Sequence, residues 1–248
     1  RFKVNRMTFL ARFGVQLYQK SVSGLLFPLH ERIKGHNTLE VHRNLEVSQW
    51  VSQEELAALQ LDNLRKFLTK ISQGVPYFER LFADLGFDPA AVQSLSDLAR
   101  LPLMDKSTIR KNSAALKATN AKALRQFNTG GSSGEPLVFF LGNERVSHDV
   151  AAKRRATRWW GVDIGDPEIV VWGSPIELNS QDYVRILRDK LFRTELISAF
   201  DMSEDNLQRY VKRIKQFRPK MLFGYPSSLA LIAKFATDHN LPMNDLGI

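Results

Sequence analysis

Apolar residues between positions 52 and 72 recur at steps of three and four, which places them on one face of a predicted helix. They are Leu61, Leu64, Leu68 and Ile71. Ser52 and Glu55 have the spacing of a capping box, so the helix is predicted to begin there. Pro76 opens a second predicted helix, because its ring presets a helical φ, and Gly86 is expected to end it.

The pattern changes near residue 124, where short apolar runs replace helical spacing. Five consecutive apolar residues at 137–141 predict a buried strand, and Asn143 is expected to cap a long helix toward Trp160. Strands and helices then alternate: strands at 168–172, 195–200 and 220–224, and helices at 180–192, 203–216 (capped by Ser203) and 226–239. Such alternation with short connections predicts a parallel sheet with right-handed crossovers.

These patterns divide the 248 residues into three predicted segments. Residues 1–45 form a basic, irregular N-terminal segment, residues 46–123 a helical region, and residues 124–248 a hairpin followed by a parallel α/β portion. The predicted fold class is therefore α/β, with a helical N-terminal region followed by a βαβ parallel sheet. Because the chain starts at Arg1 rather than methionine and ends at Ile248 soon after Asp245, we expect it to be a piece of a longer protein.

Charge adds an expectation about partners. The net charge is +9, and residues 1–43 carry eight Lys and Arg against only Glu31 and Glu40. Such an excess favours anionic partners, namely nucleotides, coenzyme A, nucleic acid or an anionic membrane surface. A solvated basic surface explains the same excess and is the favoured interpretation.

Composition excludes several kinds of chemistry. The chain has no cysteine, which excludes disulfides, thiolate metal sites and cysteine nucleophiles and fits a reducing, cytoplasmic location. The five histidines are scattered without metal-ligand spacing, so no metal ligand is assigned.

A membrane span is not expected, because no run approaches the roughly 18 apolar residues that one needs. Peripheral membrane contact through residues 1–45 stays open, since Phe9, Phe13 and Leu17 recur at a spacing of four. An ordinary helix packed on the rest of the protein is favoured.

The most informative stretch is a loop rich in glycine and hydroxyl residues between two apolar segments. It reads Thr129-Gly130-Gly131-Ser132-Ser133-Gly134-Glu135-Pro136. Glycine allows positive φ and close approach to a ligand, and consecutive backbone N–H groups can form a concave anion-binding nest. The hydroxyls of Thr129, Ser132 and Ser133 add donors for phosphate oxygens. The stretch therefore predicts a phosphate-binding loop formed by Thr129 to Gly134.

Spacing excludes two better-known phosphate-binding patterns. A P-loop needs lysine and then Ser or Thr after its last glycine, whereas Glu135 follows Gly134. A dinucleotide fingerprint needs a different glycine spacing within a strand–helix turn. On these residues alone, a flexible Gly/Ser connection between two strands is an equally good interpretation.

The loop resembles the phosphate-binding loop of adenylate-forming enzymes, commonly Thr-Ser-Gly-Thr-Thr-Gly-x-Pro. The matching residues are Thr129, Gly131, Gly134 and Pro136, with Ser132 and Ser133 in place of threonines. Two features depart from that pattern: Gly130 replaces a serine, and the lysine that many relatives carry at the edge of the loop is absent at positions 135 and 137.

Other segments resemble the phenylacetate–CoA ligase branch of these enzymes in order and spacing. They are Gly74 to Phe82, Ser96-Asp97-Leu98, Leu101-Pro102-Leu103 with Lys106, and Phe217 to Ser227. The form Thr-Gly-Gly-Ser-Ser-Gly-Glu-Pro is similar to that of CapK-type members, which are associated with capsule and exopolysaccharide synthesis. The resemblance covers roughly residues 45–248.

The resemblance implies an incomplete N-terminal domain of the adenylate-forming fold and a two-step reaction. A carboxylate attacks the α-phosphorus of ATP to give acyl-AMP and pyrophosphate, and a thiol, usually that of coenzyme A, then takes the acyl group. The implied cofactors are ATP, Mg²⁺ and coenzyme A, and the implied substrate is a small-molecule carboxylate. The family's adenine, ribose and Mg²⁺ ligands and its catalytic lysine come later in the chain. No catalytic residue is therefore assigned, and this piece alone is expected to be inactive.

Two turns after predicted strands are further candidates. By resemblance, Gly224-Tyr225-Pro226-Ser227 lines the acyl and nucleotide pocket, and Trp172-Gly173-Ser174 follows another strand in the same way. Because open α/β sheets bind ligands beyond the carboxyl ends of their strands, both turns are expected at one edge of the sheet. A tight strand-to-helix turn would also account for Gly224 and Pro226.

Two alternatives to a ligase stay open. A non-catalytic relative that binds a nucleotide or a partner in polysaccharide assembly would carry the same motifs. Nucleic-acid binding rests on charge alone, in the basic run at 153–158 before Trp159 and Trp160. Cations near a helix C-terminus suit its dipole, so no nucleic-acid partner is expected.

Overall fold

The structure is a computed structural model that describes residues 14–122, 124–129, 136–173 and 183–248. Its α-helices are α1 (residues 14–21), α2 (Phe27–Ile33), α3 (Thr38–Ser48), α4 (Gln53–Gly74), α5 (Pro76–Leu85), α6 (Lys106–Lys111), α7 (Asn143–Arg158), α8 (Tyr183–Phe192), α9 (Glu204–Phe217) and α10 (Pro226–Asp238). A π-helical turn, Val22–Leu26, joins α1 to α2, and 3-10 helices cover Pro89–Ala91 and Leu95–Arg100. The strands are β1 (Arg125–Asn128), β2 (Val138–Leu141), β3 (Glu168–Val171), β4 (Thr194–Ile197) and β5 (Met221–Gly224).

The chain forms two compact units. The hairpin unit comprises Gly35–Ala152, and the sheet unit comprises the described residues up to Lys34 together with Lys153–Ile248. The division falls within α7, after Ala152. These units follow contacts in space and differ from the three segments predicted from the sequence, whose boundaries at residues 45 and 123 stay a prediction.

Local signals define the first long helices of the hairpin unit. The predicted capping box is confirmed, because the backbone N–H of Ser52 donates to Glu55 Oε2 at 2.9 Å and that of Glu55 donates to Ser52 Oγ at 3.2 Å. Helix α5 starts at Pro76 and ends before Gly86, which has the left-handed φ of +57° that favours glycine. The buried core of this unit includes Leu68, Phe82, Phe87 and Val92.

The predicted strand at 137–141 is confirmed as β2, but its predicted burial is wrong. It pairs antiparallel with β1, with Asn128 opposite Val138, in a sheet of these two strands. Val138 is 44% exposed and the other residues of β2 are half-buried. A two-stranded ribbon covers its apolar side chains incompletely, and that explains the exposure. Asn143 is the first residue of α7 rather than the residue before it.

The sheet unit contains a three-stranded parallel sheet in the order β4-β3-β5, as the α/β prediction required. In the central strand β3, Ile169 and Val171 are fully buried. Helices α9 and α10 cover this core with Val211, Ile214 and Ile232, each at most 1% exposed. Apolar positions at helical spacing in α9 and α10 therefore pack on the face of β3 that carries Ile169 and Val171, while its other two residues are half-buried.

Residues 14–33 and α3 are helical, which agrees with the favoured interpretation of an ordinary helix around Leu17 and departs from the irregular pattern of the segment. The π-helical turn Val22–Leu26 interrupts the spacing of three and four by which an α-helix is predicted from sequence. The N–H of Phe27 donates to the carbonyl of Val22, five residues earlier, and these two side chains are buried at that same spacing. A search for steps of three and four does not find a face spaced by five. Phe9 and Phe13 lie outside the described residues.

Ser203 precedes α9 in the extended conformation of an N-cap residue, but its side chain does not cap the helix as predicted. Its hydroxyl donates to Asp201 Oδ1 at 3.2 Å instead. Glu204 and Asp205, in the first turn, still provide the negative charge that suits a helix N-terminus.

Among the described helices, none is both long enough and apolar enough to cross a membrane.

Gly224 allows β5 to approach β3 closely, and this approach predicts a specific stability defect. A Cβ at position 224 would lie 2.4 Å from the carbonyl oxygen of its register partner Val171. Gly224→Ala is therefore expected to lower the free energy of unfolding by about 1–3 kcal/mol, measured by urea denaturation. Gly142→Ala is the matched control, because a Cβ there meets nothing within 4 Å. Equal stability of Gly224→Ala and the parent protein would contradict the close approach.

Candidate functional site

The ends of the predicted phosphate loop are held together by the β-hairpin. The N–H of Thr129 donates to the carbonyl of Leu137 at 3.0 Å, and the N–H of Leu137 donates to Thr129 Oγ1 at 3.0 Å. The predicted unit of two strands flanking the loop is thus confirmed for its strands. The candidate residues Gly130, Gly131, Ser132, Ser133 and Gly134 lie outside the described residues, so their phosphate-binding role stays a prediction.

The hydroxyl of Thr129 can accept one hydrogen bond and donate another. Its hydroxyl oxygen accepts a hydrogen bond that closes the hairpin, and a hydroxyl that accepts in this way still has a proton to donate. Within the same unit, the ammonium of Lys117 lies 3.9 Å from the centre of the Phe140 ring on β2. The hairpin below the loop is therefore fixed by backbone pairing and by a cation–π contact.

The second candidate region lies at the carboxyl edge of the parallel sheet. Strands β3 and β5 are paired in parallel with Val171 opposite Gly224, so Trp172 and Tyr225 both follow at the same edge. This confirms the predicted common edge for Trp172, Gly173, Gly224 and Tyr225; Ser174 lies outside the described residues. Pro226 and Ser227, the first residues of α10, are exposed beside them.

Four aromatic side chains, here called the aromatic edge, gather at this place: Trp172, Phe200, Phe223 and Tyr225. The Trp172 and Tyr225 rings stack with centroids 4.1 Å apart and planes 12° apart. Phe200 meets Tyr225 edge-on at 6.1 Å, and Phe223 lies parallel to Trp172 at 6.4 Å. Trp172 is 44% and Phe200 66% exposed, so the cluster presents an apolar wall rather than a closed core.

Sequence reasoning missed Phe200 and Phe223. Phe200 lies beyond the end of β4, the third strand to end at this edge, whereas the sequence placed it inside a predicted strand at 195–200. Phe223 lies within β5 and is 41% exposed, which the apolar run of the strand did not indicate.

Hydrogen bonds fix the backbone that carries the aromatic edge. The N–H of Trp172 donates to the carbonyl of Ile197 at 3.0 Å, which extends the β3–β4 ladder by one residue. Behind it, the buried hydroxyl of Ser198 accepts from the N–H of Phe200 at 3.2 Å. The buried Ser228 hydroxyl donates to the carbonyl of Ala199 at 3.2 Å, which ties α10 to the turn after β4.

The pKa of Tyr210, which contacts the turn after β4, is raised by its surroundings. Burial raises the pKa of Tyr210 above its ordinary value, and the carboxylate of Asp201 raises that pKa further. The Tyr210 hydroxyl donates to the carbonyl of Asp201 at 3.3 Å. It therefore serves as a hydrogen-bond donor that holds the turn after β4 in place.

Two residues of the basic run near the end of α7, Lys153 and Arg154, form ion pairs within the sheet unit. Lys153 pairs with Glu168 and lies 4.4 Å from the Phe223 ring centre. Arg154 Nε donates to Asp163 Oδ1 at 2.7 Å. These contacts give Lys153 and Arg154 a structural role within the sheet unit.

The residues fit some of the implied cofactors better than others. A stacked indole and phenol with exposed faces offers a surface for a planar or apolar group such as a nucleobase or an acyl chain. Among the described residues, no cluster of three or more histidine, aspartate or glutamate side chains could hold a metal ion. No step is therefore assigned to Mg²⁺.

Comparison with solved structures identifies the fold. Crystal structures of 2-hydroxyisobutyryl-CoA ligase, in complex with 2-HIB-AMP and CoA, match 79% of this chain and 43% of the ligase, with a TM-score of 0.61 and 20% sequence identity. At this identity the likeness establishes the fold. The chain therefore has the fold of part of an adenylate-forming CoA ligase, which confirms the predicted fold class.

Sequence comparison identifies the relatives. Protein CapK of Staphylococcus aureus is 24% identical over 227 residues, which cover 90% of this chain and 48% of CapK. The phenylacetate–coenzyme A ligase of Aromatoleum evansii is 25% identical over 191 residues, 76% of this chain and 42% of that enzyme. The chain is homologous to CapK and to phenylacetate–coenzyme A ligases, and it spans about half the length of these curated relatives. No protein-family model matches it.

The aromatic stack predicts a measurable coupling between two side chains. In a double-mutant cycle with Trp172→Leu and Tyr225→Leu, the coupling in the free energy of unfolding is expected to be about 0.5–1.5 kcal/mol, because stacked rings contribute this much beyond their buried area. The control cycle pairs Tyr225→Leu with Trp160→Leu, since the described rings of Tyr225 and Trp160 make no contact with each other. Additive effects in the Trp172 cycle would contradict the observed stacking.

Proposed function

We propose that this chain forms part of an ATP-dependent acyl-activating ligase, which converts a small carboxylate to acyl-AMP and then to the acyl thioester of coenzyme A. One observation carries the proposal. The Thr-Gly-Gly-Ser-Ser-Gly-Glu-Pro stretch leaves β1 and returns into β2, and Thr129 and Leu137 close it with two backbone-anchored hydrogen bonds. A glycine-rich loop clamped at its base can present its N–H groups to an anion with little loss of entropy on binding.

The proposed roles of this chain's residues follow from charge and shape. ATP, when bound, supplies the α-phosphorus that the carboxylate attacks, and pyrophosphate leaves. The backbone N–H groups of Gly130 to Gly134 and the hydroxyls of Ser132 and Ser133 hold the phosphate oxygens, where they stabilise negative charge as it develops. The Thr129 hydroxyl, set by its bond to Leu137, donates at the start of the loop.

The aromatic edge has a proposed role in binding the organic part of the substrates. Trp172 and Tyr225 offer stacked, partly exposed faces, and Gly224 brings them side by side. Such a wall favours a flat or apolar group and excludes water from its contact surface. The 2-hydroxyisobutyryl-CoA ligase whose fold this chain matches in part was crystallised with 2-HIB-AMP and CoA, which supports an acyl-AMP and coenzyme A as the ligands of the proposed ligase.

Capsule or exopolysaccharide synthesis is the proposed setting, and it rests on the similarity to CapK. A second candidate function is a non-catalytic relative that binds a nucleotide or a partner in polysaccharide assembly. Glu135 favours it, since this acidic residue stands where many relatives place a lysine and would repel a polyphosphate. Retained ATP binding without any carboxylate-dependent turnover would support this second candidate.

The phosphate loop predicts separate effects on catalysis and on folding. In the full-length protein, Gly131→Val and Gly134→Val are expected to reduce carboxylate-dependent ATP–pyrophosphate exchange by roughly a hundred- to thousandfold, the usual cost of losing an oxyanion contact. A β-branched side chain disfavours positive φ and fills space that phosphate needs. Ser132→Ala is expected to do less, because the backbone donors remain.

Gly142→Val, at the other end of β2, is the matched control, because a Cβ there meets nothing within 4 Å. Its exchange rate is expected to stay near that of the parent protein. Thermal melts of all four variants separate catalytic from folding effects. Near-normal exchange in Gly131→Val and Gly134→Val would refute the phosphate-loop assignment.

A further inference from the structure

All of the net charge of this chain lies in its sheet unit. Lysine and arginine equal aspartate and glutamate in number over residues 35–152, so the excess of +9 falls entirely on the residues before and after that range. Because long-range attraction depends on such an excess, an anionic partner would meet the sheet unit rather than the hairpin unit.

An open groove of about 920 Å³ lies at the amino edge of the parallel sheet, opposite the aromatic edge. Pro167, Arg193 and Lys220, which line it, directly precede β3, β4 and β5. Five cationic side chains contribute to its walls: Lys20, Arg158, Arg193, Arg218 and Lys220. Two carboxylates, those of Asp163 and Asp166, oppose them. The groove therefore has a clear excess of positive charge.

The two carboxylates are already bound to cations. Lys220 Nζ lies 3.0 Å from Asp166 Oδ2, and Arg154, outside the groove, pairs with Asp163 at 2.7 Å. Among the described residues, neither Lys20 nor Arg193 pairs with a carboxylate; the Arg193 guanidinium lies 5.8 Å from the centre of the Tyr18 ring. A guanidinium over a ring keeps its N–H groups for an anion.

Two of the groove's arginines occupy strained backbone positions. Arg193 has a φ of +57° and Arg218 a φ of +49°, each between a helix and the following strand. Glycine or asparagine is the usual residue at such a left-handed helix end. Strained residues that persist in a fold point to a function. Here both place a cation at the same edge of the sheet.

The rim of the groove adds exposed apolar groups to this charge. Trp160, next to the groove residue Gly161, is 84% exposed, and Val15 on the groove wall is 45% exposed. Leu17, also on α1, is 57% exposed. Tryptophan beside cations is typical of surfaces that rest at the membrane interface. Aliphatic side chains beside cations contribute there too.

We propose that this cationic groove and its rim bind the phosphate groups of anionic phospholipids at a membrane surface. Lys20 and Arg193, which pair with no carboxylate among the described residues, attract the headgroups, and Trp160 enters the interfacial layer. Arg218 and Lys220 stay paired with Asp245 and Asp166. The site is independent of the proposed ligase chemistry, because the aromatic edge lies at the opposite ends of the same strands.

The test measures sedimentation of the full-length protein with vesicles of phosphatidylcholine, with and without phosphatidylserine. Binding is expected only with the anionic lipid and is expected to weaken with salt. Lys20→Gln combined with Arg193→Gly should weaken it about 25-fold, at roughly fivefold for each lost cation. Arg193→Gly also relieves the left-handed backbone, so the melting temperature should not fall. Trp160→Ser should weaken binding as well.

Matched controls come from the hairpin unit. Lys66→Gln with Lys111→Gln removes the same charge, and Trp50→Ser removes a tryptophan that is 77% exposed; both should bind vesicles as the parent does. Equal losses in these controls, or equal binding to neutral vesicles, would overturn the proposal. Binding to nucleic acid or to inorganic phosphate that depends on Lys20 and Arg193, without vesicle binding, would overturn it in favour of a soluble anion. Pyrophosphate exchange without vesicles should be unchanged in all variants.

Discussion

The close pairing of β3 with β5 at Gly224 is the contact on which the rest of the sheet unit depends. With a hydrogen in place of a side chain, Gly224 lets β5 come near the carbonyl of Val171. The next residues on the two strands are then Trp172 and Tyr225, and their rings meet at 4.1 Å. The same pairing buries Ile169 and Val171 completely, so one backbone contact sets both the core and the candidate ligand surface.

A parallel sheet gives its two edges different chemistry, and this chain illustrates the consequence. All carboxyl ends meet at one edge, which here carries four aromatic side chains, while all amino ends meet at the other, which carries five cations. Ligand chemistry at one edge and surface attachment at the other can therefore coexist without competing for residues. The phosphate loop belongs to the hairpin unit, where two hydrogen bonds between Thr129 and Leu137 hold its base.

Much of the fold could be predicted because local signals are strong where they occur. A capping box fixed the start of α4, proline and glycine fixed both ends of α5, and the alternation after residue 160 predicted a parallel sheet. The π-helical turn at Val22–Leu26 was missed because its buried residues are spaced by five. Ser203 precedes α9 without a cap hydrogen bond, and its hydroxyl donates to Asp201 Oδ1. Neither the π-helical turn nor the side-chain partner of Ser203 can be predicted from the spacing of apolar residues.

Part of the candidate site could likewise be predicted from the sequence, and part could not. The turns at Trp172 and Gly224 could be placed at one edge from strand order alone, because parallel strands bring like ends together. Phe200 and Phe223 could not be chosen without knowing that β3 lies between β4 and β5, which depends on long-range pairing. The cationic groove was also out of reach, since its residues come from four separate parts of the chain.

The central claim, that the protein activates a carboxylate through acyl-AMP, is tested most directly by following oxygen atoms. The full-length protein is given ATP, coenzyme A and a panel of carboxylates labelled with heavy oxygen, and the AMP is analysed by mass spectrometry. If the carboxylate attacks the α-phosphorus, thioester formation leaves one labelled oxygen in AMP, and this is the result we predict. Unlabelled AMP would contradict the account, as would ADP with the label in inorganic phosphate.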